Sequence, residues 1–158
     1  MSSSRLPRTS ARDAPENIAI LLREPLRALN EELIARLAEH GHATVRLPHG
    51  NVLQYLDDAG TTVSVLAERA HLTKQAMAQL VAHLEAEGYV ERVPDPADRR
   101  AKLVRATGRG RDVYAVVRDY VAETEARLER ALGAARMRRL RALLEELNAE
   151  LVPRSAGP

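Results

Sequence analysis

Residues 63–107, VSVLAERAHLTKQAMAQLVAHLEAEGYVERVPDPADRRAKLVRAT, decide the fold of this chain of 158 amino acids. Their first part predicts two short helices in tandem, over 61–70 and 72–88, because apolar residues recur there at helical spacing. Thr73 is the predicted N-cap of the second helix, and Gly88 is of the type that commonly ends helices. Only about three residues separate the two helices, which is the spacing of a helix–turn–helix.

A basic hairpin is predicted directly after the second helix. Tyr89–Val93 and Lys102–Ala106 are predicted as two brief strands, and the loop between them contains Pro94 and Pro96. Prolines disfavour a helix there and fix part of the backbone in advance. The sequence therefore predicts a stiff loop with arginines at its tip.

The segment before the helix–turn–helix predicts one long helix and one short one. Apolar residues recur at helical spacing over 16–39, but Pro25 interrupts the pattern. The helix either kinks at the proline or begins near Glu24 after a short turn. Residues 39–50 are predicted as a loop and 51–60 as a short helix that Gly60 stops.

The C-terminal part of the chain predicts two more helices. A long helix follows Thr107, and the last helix carries leucines and a methionine in a 3-4-3-4, heptad-like pattern. The fold class is therefore mainly α with a small β-hairpin. Long amphipathic helices at both ends of a small domain favour a two-fold homodimer, and an intramolecular bundle is the alternative. The heptad positions are Met137, Leu140, Leu144, Leu147 and Leu151.

Composition excludes several classes of function. The chain has no Cys, which excludes disulfides, thiolate metal sites and cysteine nucleophiles. No apolar run is long enough to span a membrane, and residues 1–15 have no signal-peptide core, so we expect a disordered N-terminal tail on a cytoplasmic protein. The net charge is +2, but Arg69–Arg111 contains nine Lys and Arg against five Asp and Glu, a local excess of +4. Such an excess favours a polyanionic partner.

The second helix of the pair has a polar face suited to reading DNA bases. We expect Ala76, Leu80 and Leu84 on its inner face, flanked by Met77 and Val81. Gln bonds bidentately to adenine, Lys reaches guanine or phosphate, and small residues allow close approach. A helix N-terminus suits a phosphate. An ordinary solvated helix face is the alternative. The outward residues are Thr73, Lys74, Gln75, Ala78, Gln79, Ala82 and His83.

The tip of the hairpin is suited to the minor groove of duplex DNA. Arg99, Arg100 and Lys102 are concentrated there, and a rigid arginine inserts well into a narrow, electronegative groove. Asp98 would brace either the guanidinium of Arg100 or the backbone of the loop. A plain polar turn is the alternative.

At this point the sequence resembles the MarR-type winged helix–turn–helix regulators of bacteria. The motif L-E-x-x-G-Y-V followed by D-P-x-D-R-R-A-K-L-V carries the resemblance, which covers 63–107 closely and the flanking helices by layout. It implies one domain over 16–152, with a DNA-binding lobe at 50–107 and dimerisation helices at 16–39 and 108–152. It also implies a recognition helix at 73–87, a wing at 89–106 and the hallmark pair Asp98 and Arg100.

The chain departs from this pattern on the reading face. Many members have Ser or Thr in place of Ala78, Arg in place of Gln79, and Arg in place of His83. The Leu-Thr that usually ends the wing is Ala106-Thr107 here. These departures leave the fold intact and put the base sequence of the operator in doubt.

The resemblance also implies control by a small ligand in a crevice between the dimer helices and the DNA-binding lobe. Arg46, His49 and Tyr55 are the candidate binding residues, and Arg46 with His49 would favour an anionic aromatic effector. A solvated Arg46 and His49 and a core Tyr55 are the alternative. His40, His42 and His49 have no carboxylate at a fixed spacing, so we expect neither a metal nor another cofactor.

The sequence has no motif of an enzyme. It lacks a nucleophile elbow, a phosphate-binding glycine loop and a metal-ligand motif. We therefore expect a ligand-responsive regulator, a repressor that binds a palindromic operator as a homodimer. The alternatives are an architectural or protein-interaction module, and a small-molecule or metal sensor whose DNA binding is secondary.

Overall fold

The computed structural model describes residues 17–98 and 100–151, so the expected tail at 1–15 and residue 152 lie outside it. The architecture is mainly α with one antiparallel hairpin, as the sequence predicts. In chain order the elements are α1 (Ile18–Glu39), a 3-10 turn (Leu47–His49), α2 (Gly50–Leu53), α3 (Val63–Arg69), α4 (Lys74–Ala86), β1 (Val90–Pro94), β2 (Lys102–Ala106), α5 (Gly108–Leu132) and α6 (Ala134–Leu151).

The first helix is continuous through Pro25, so a start near Glu24 is wrong. Asn17 caps it, because its side-chain oxygen accepts hydrogen bonds from the amides of Ala19 and Ile20 at 3.0 and 3.2 Å. A proline removes one backbone donor, and a 22-residue helix that packs on α5 retains enough other bonds to continue.

The helix–turn–helix forms where its caps predict it. The hydroxyl of Thr62 accepts from the amide of Val65 at 3.3 Å, and that of Thr73 accepts from Ala76 at 3.1 Å. Gly88 ends α4 with a positive φ of 75°, which a glycine adopts without strain. The loop predicted over 39–50 ends earlier, because a 3-10 turn at Leu47–His49 leads directly into α2. The helix predicted over 51–60 is shorter than expected, since α2 covers only Gly50–Leu53.

The hairpin is offset by one residue from its predicted first strand. Its register pairs Val90 with Ala106 and Pro94 with Lys102. Thr61 exchanges two backbone hydrogen bonds with Val104, at 2.9 and 2.8 Å, so the segment before α3 supports the outer side of β2. The hairpin is therefore attached to the helix–turn–helix on both sides.

One apolar core joins the helix–turn–helix, the hairpin and the start of α5. Its fully buried side chains come from α2, α3, α4, both strands and α5, and they enclose the only aromatic ring among them, that of Tyr89. The core is built from aliphatic residues, as a chain without Phe or Trp requires. These side chains are Val52, Leu66, Met77, Val81, Leu84, Tyr89, Val90, Val104 and Val113.

The two C-terminal helices extend away from that core. No residue of α6 is buried within the described chain, and Leu140, Leu143, Leu144 and Leu151 are exposed. Arg141 pairs with Glu125 of α5. Glu145 lies four residues after Arg141 in the same helix, but the packing of α6 against α5 supplies Glu125 as the partner instead.

None of the helices in 17–98 and 100–151 has the length and apolarity that crossing a bilayer needs.

Candidate nucleic-acid interface

The outward face of α4 carries the predicted polar residues. Lys74, Gln75, Gln79 and His83 are all exposed, and Ala78 lies half-buried between them. The side chains of Lys74, Gln75 and Gln79 bond to no other described residue. These three polar side chains on one helix face are therefore free to form hydrogen bonds with another molecule.

The buried stripe of α4 is rotated from the one we expected. Met77, Val81 and Leu84 are fully buried, whereas Ala76 and Leu80 are only half-buried. The core side of the helix is set by what packs against it, namely α3, α2 and β1. The exposed polar residues of α4 were predicted correctly, but the buried face is centred nearer to Met77 and Val81 than we expected.

Ion pairs distinguish the arginines that hold the hairpin in place from those that are free to contact another molecule. Arg92 of β1 bonds to Glu85 of α4 at 3.0 Å, and Arg105 of β2 bonds to Glu91 across the hairpin at 2.7 Å. These ion pairs fasten the base of the hairpin and neutralise its charge there. Lys102 and Arg100, in contrast, form no ion pair with a described residue. Arg109 and Arg111 also form no such ion pair, but their guanidinium groups donate to the carbonyls of Gly41 and Ala106. The Lys and Arg side chains left without a described partner in this region therefore lie at the hairpin tip and on α4.

Asp98 braces the backbone of the loop. Its carboxylate accepts a hydrogen bond from the amide of Arg100 at 2.9 Å, and its carbonyl accepts one from Ala101 at the same distance. Asp95 acts alike, since its side chain accepts from the amide of Ala97 at 2.8 Å. Of the two roles considered for Asp98, the structure shows the backbone one. The loop is thus held by its own aspartates, and the side chain of Arg100 is exposed.

Arg99 lies outside the described residues, so its predicted contact with DNA stays a prediction. Thr73 is exposed at the start of α4 with its hydroxyl already accepting from Ala76, and its hydroxyl hydrogen remains available to an acceptor.

His83 of the reading face is stacked on a second, buried histidine. The ring of His83 stacks on the ring of His49, with centroids 4.6 Å apart and planes 13° from parallel. His49 is only 5% exposed, and its Nδ1 accepts the amide hydrogen of Arg46 at 3.0 Å. Burial lowers the pKa of His49, and the charges of His83 and Arg46 lower it further. Sequence reasoning missed this pair, because residues 34 positions apart carry no shared local pattern.

A crevice of about 330 Å³ opens between α1, the loop before α2, and α5. Its apolar walls include Leu33, Ile34, Leu37 and Val113, and Arg46 lies at its edge. The hydroxyl of Tyr114 donates to the carbonyl of Leu53 at 2.8 Å and joins two walls. Burial raises the pKa of Tyr114, and the nearby charge of Asp58 raises it further.

Only one of the three candidate ligand residues lines this crevice, and that residue is Arg46. The ring of His49 faces His83 instead, and Tyr55 packs partly buried against the core, as the alternative interpretation holds. His42 is buried and its Nε2 lies 3.2 Å from the carboxylate of Asp112. Within the part of the chain that the structure describes, no group of three or more His, Asp or Glu side chains is placed to hold a metal ion.

Comparison with known proteins agrees with this geometry. The model of the MarR family matches residues 43–101, which span the crevice loop, the helix–turn–helix and most of the hairpin. The transcriptional activatory protein BadR of Rhodopseudomonas palustris is 38% identical over 58 residues, which are 37% of this chain. That match spans about a third of BadR, 33% of its length.

Solved structures extend the likeness to the flanking helices. The M. tuberculosis MarR family protein Rv2887, in complex with salicylic acid, is 28% identical with a TM-score of 0.60, over 85% of this chain and 98% of that one. The MepR–DNA complex of S. aureus has a TM-score of 0.69 at 19% identity, over 86% of this chain and 99% of that one. The second likeness shows the fold alone.

Proposed function

We propose that this chain is a ligand-responsive transcriptional regulator of the MarR family, because its helix–turn–helix and the first strand and loop of its hairpin match the family model, and its fold resembles that of the MarR family protein Rv2887. It binds a palindromic operator as a homodimer, in the cytoplasm of a bacterial cell, and represses transcription. In this proposal α4 enters the major groove and the hairpin tip enters an adjacent minor groove.

One observation carries the DNA-binding part: between residues 69 and 111, the Lys and Arg side chains that bond to no described residue lie on α4 and at the hairpin tip. Arg92 and Arg105 are neutralised by acids, while Lys74, Arg100 and Lys102 form no ion pair with a described residue. Phosphates attract unpaired cations, and base edges need free donors and acceptors like those of glutamine. A plain solvated surface does not explain why Asp95 and Asp98 hold the backbone of the hairpin tip in place.

The homodimer is supported by the unpartnered faces of α1 and α6. Ile18, Leu21 and Leu26 on α1 are more than half exposed, and three of the heptad leucines of α6, Leu140, Leu144 and Leu151, are exposed as well. Exposed apolar side chains this dense mark an interaction surface. A second copy that packs on these helices would bury them and place two α4 helices about one duplex turn, roughly 34 Å, apart.

The charges of α6 point to an antiparallel partner. Arg136, Arg138 and Arg139 lie near its N-terminus, while its glutamates lie towards its C-terminus. Both placements oppose the helix macrodipole. An antiparallel α6 from a second copy brings glutamates to the arginines at each end, and a two-fold axis makes both contacts identical. The glutamates are Glu145, Glu146 and Glu150.

A charge-swap experiment tests this dimer. Reversing the three arginines to Glu should weaken the dimer in sedimentation equilibrium, and reversing the three glutamates to Arg as well should restore it. The reversed charges suit the macrodipole better, so a loss would not come from unfolding of α6. A dimer that is equally strong in all variants, or a wild-type monomer at micromolar concentration, would contradict the proposed interface.

Selection of bound fragments from a genomic library tests operator binding. A regulator should enrich one inverted repeat, whereas an architectural module would recover fragments that share no motif. Arg100→Ala should weaken binding to the selected repeat, while Arg130→Ala removes an equal charge from the far end of α5 and should not. A reporter gene behind the selected operator then gives the sign of regulation. We expect repression, and activation is the outcome that the name of BadR suggests.

The crevice supports control by a small anionic aromatic ligand. Its volume lies in the range of small-molecule sites, its walls are apolar, and Arg46 supplies one cation at the edge. Rv2887, at 28% identity, is described as a complex with salicylic acid. Salicylate and related aromatic acids, titrated calorimetrically with and without operator, should bind here and change the affinity for DNA. Arg46→Gln should weaken that binding. Absence of any binding heat across the series, with unchanged affinity for the operator, would remove the ligand from the proposal.

A further inference from the structure

We propose that His49 is a positioning residue for DNA recognition: it touches no DNA itself, but its ring holds the imidazole of His83 in one orientation on the reading face of α4. The inference rests on the proposed DNA-binding function and assigns a task to a buried residue outside the interface. It depends on three features of the structure, which are the stack, the hydrogen bond to Arg46 and the free nitrogens of His83.

The ring of His49 is fixed at two points. The amide of Arg46 donates to its Nδ1 at 3.0 Å, and one ring face lies against His83. An acceptor at Nδ1 puts the proton of the neutral ring on Nε2. A second proton on Nδ1 would remove this acceptor and leave two donors facing each other. The ring would also become charged where burial, His83 and Arg46 already oppose charge.

His83 is the exposed member of the pair. It lies in the last turn of α4, where a side chain without a stacking partner would sample several rotamers. Stacking on a fixed ring at 4.6 Å selects one orientation in advance, so that less side-chain entropy is lost when DNA binds. No described residue hydrogen-bonds to either nitrogen of His83, so both nitrogens remain available to phosphate or a base edge.

The same contact connects the crevice to the recognition helix. Arg46 lines the crevice with its side chain, while its backbone amide holds His49. The 3-10 turn that ends at His49 packs directly on α4. The orientation of His83 therefore depends on the position of the loop that forms one wall of the crevice.

A double-mutant cycle tests the role, with operator affinity as the measurement. His49→Asn keeps an acceptor for the amide of Arg46 and removes the ring, and His83→Ala removes the group that is positioned. In the wild-type background His49→Asn should weaken binding by about three- to tenfold. In the His83→Ala background it should have almost no effect. Equal losses in both backgrounds would show that His49 acts only through the fold and would overturn the inference.

Lys74→Ala provides the matched control, because Lys74 lies on the same face of α4 and has neither a hydrogen bond nor a ring contact with His49. Its cycle with His49→Asn should be additive. If His49→Asn does not fold, as judged by thermal unfolding, His49→Phe replaces it, since it keeps a ring and loses only the acceptor. It should give a smaller loss that again requires His83.

Proton NMR of the His83 ring separates this inference from the proposed function. The ring current of His49 should shift the carbon-bound protons of His83 in the free protein, and His49→Asn should return them to ordinary values. Unshifted protons in the wild type would overturn the stack itself. A wild type that binds no duplex would overturn both proposals, whereas tight binding with an additive cycle would overturn only the role of His49.

Discussion

Gly110 lies where α5 passes closest to the start of the hairpin, and Gly110→Ala tests how tightly the two are joined. A Cβ added at Gly110 would lie 2.2 Å from the carbonyl oxygen of Tyr89 and 3.3 Å from the Cβ of Ala106. The first atom is backbone and cannot turn away as a flexible side chain would. That carbonyl also accepts a hydrogen bond from the amide of Thr107 at 3.1 Å, whereas the single hydroxyl hydrogen of Thr107 has a nearer acceptor in the carbonyl of Gly88 at 2.7 Å.

Two effects of opposite sign decide the magnitude. Replacing a helical glycine with alanine stabilises a helix by up to about 1 kcal/mol. To relieve the overlap, α5 must move about 1 Å or more from β1, and such overpacking costs about 1–3 kcal/mol. Weakening the hydrogen bond from the amide of Thr107 to Tyr89 adds about 1 kcal/mol. We expect a net loss of about 1–3 kcal/mol in the free energy of unfolding, a sizeable part of the stability of a domain of this size.

Urea unfolding, followed by circular dichroism at one fixed protein concentration, measures this loss. Gly108→Ala is the matched control, because it lies two residues earlier in the same helix and its added Cβ meets nothing within 4 Å. The control should be neutral or slightly stabilising. If Gly110→Ala is as stable as Gly108→Ala, α5 and the hairpin are not in the close contact from which the loss is derived.

Four further variants test other parts of the molecule. Arg100→Ala should weaken operator binding about ten- to hundredfold at matched salt and leave the dimer folded; normal affinity in a fluorescence anisotropy titration would refute the wing contact. Gln79→Ala should change the preferred bases in a scan of operator variants, and an unchanged ranking means that Gln79 reads none. Tyr114→Phe should cost about 1 kcal/mol in urea unfolding, because it removes the hydrogen bond to Leu53. The pKa of His49 is lower in the folded protein, so below about pH 6.5 the unfolded chain binds more protons than the folded one. The free energy of unfolding of the wild type should therefore fall as the pH drops through that range. His49→Phe should make this fall less steep. An equally steep profile in His49→Phe would assign the loss to other groups.

The parts of the fold that depend on local sequence were predicted correctly. Thr73 caps α4 as predicted, since its hydroxyl accepts from the amide of Ala76, and Gly88 follows the end of α4 with positive φ. Each of these signals acts over three or four residues. The exposed polar residues of α4 followed in the same way from helical period and residue type.

The parts that depend on distant contacts were not predictable. Pro25 lies inside α1 because the helix packs on α5, and nothing around the proline shows that support. Arg141 has an acid four residues away and pairs with Glu125 instead, because α5 lies alongside. His49 is a candidate ligand residue by sequence, with a solvated side chain as the alternative, but it is buried and its ring stacks on His83 of α4. In each case the deciding partner lies on another element, where periodicity gives no information.

The position of the 45–54 segment determines how a ligand in the crevice would act on DNA binding. The segment forms one wall of the crevice through Val45 and Arg46, and its 3-10 turn and α2 pack against α4 on the other side. Close-packed interiors transmit displacement rather than absorb it, so the wall cannot move without shifting what lies behind it. A ligand changes DNA affinity only if it binds one position of the segment better than the other. In the proposed regulation, an effector must therefore bind one position of this segment better than another, and a ligand that fills the crevice without that preference would leave the affinity for DNA unchanged.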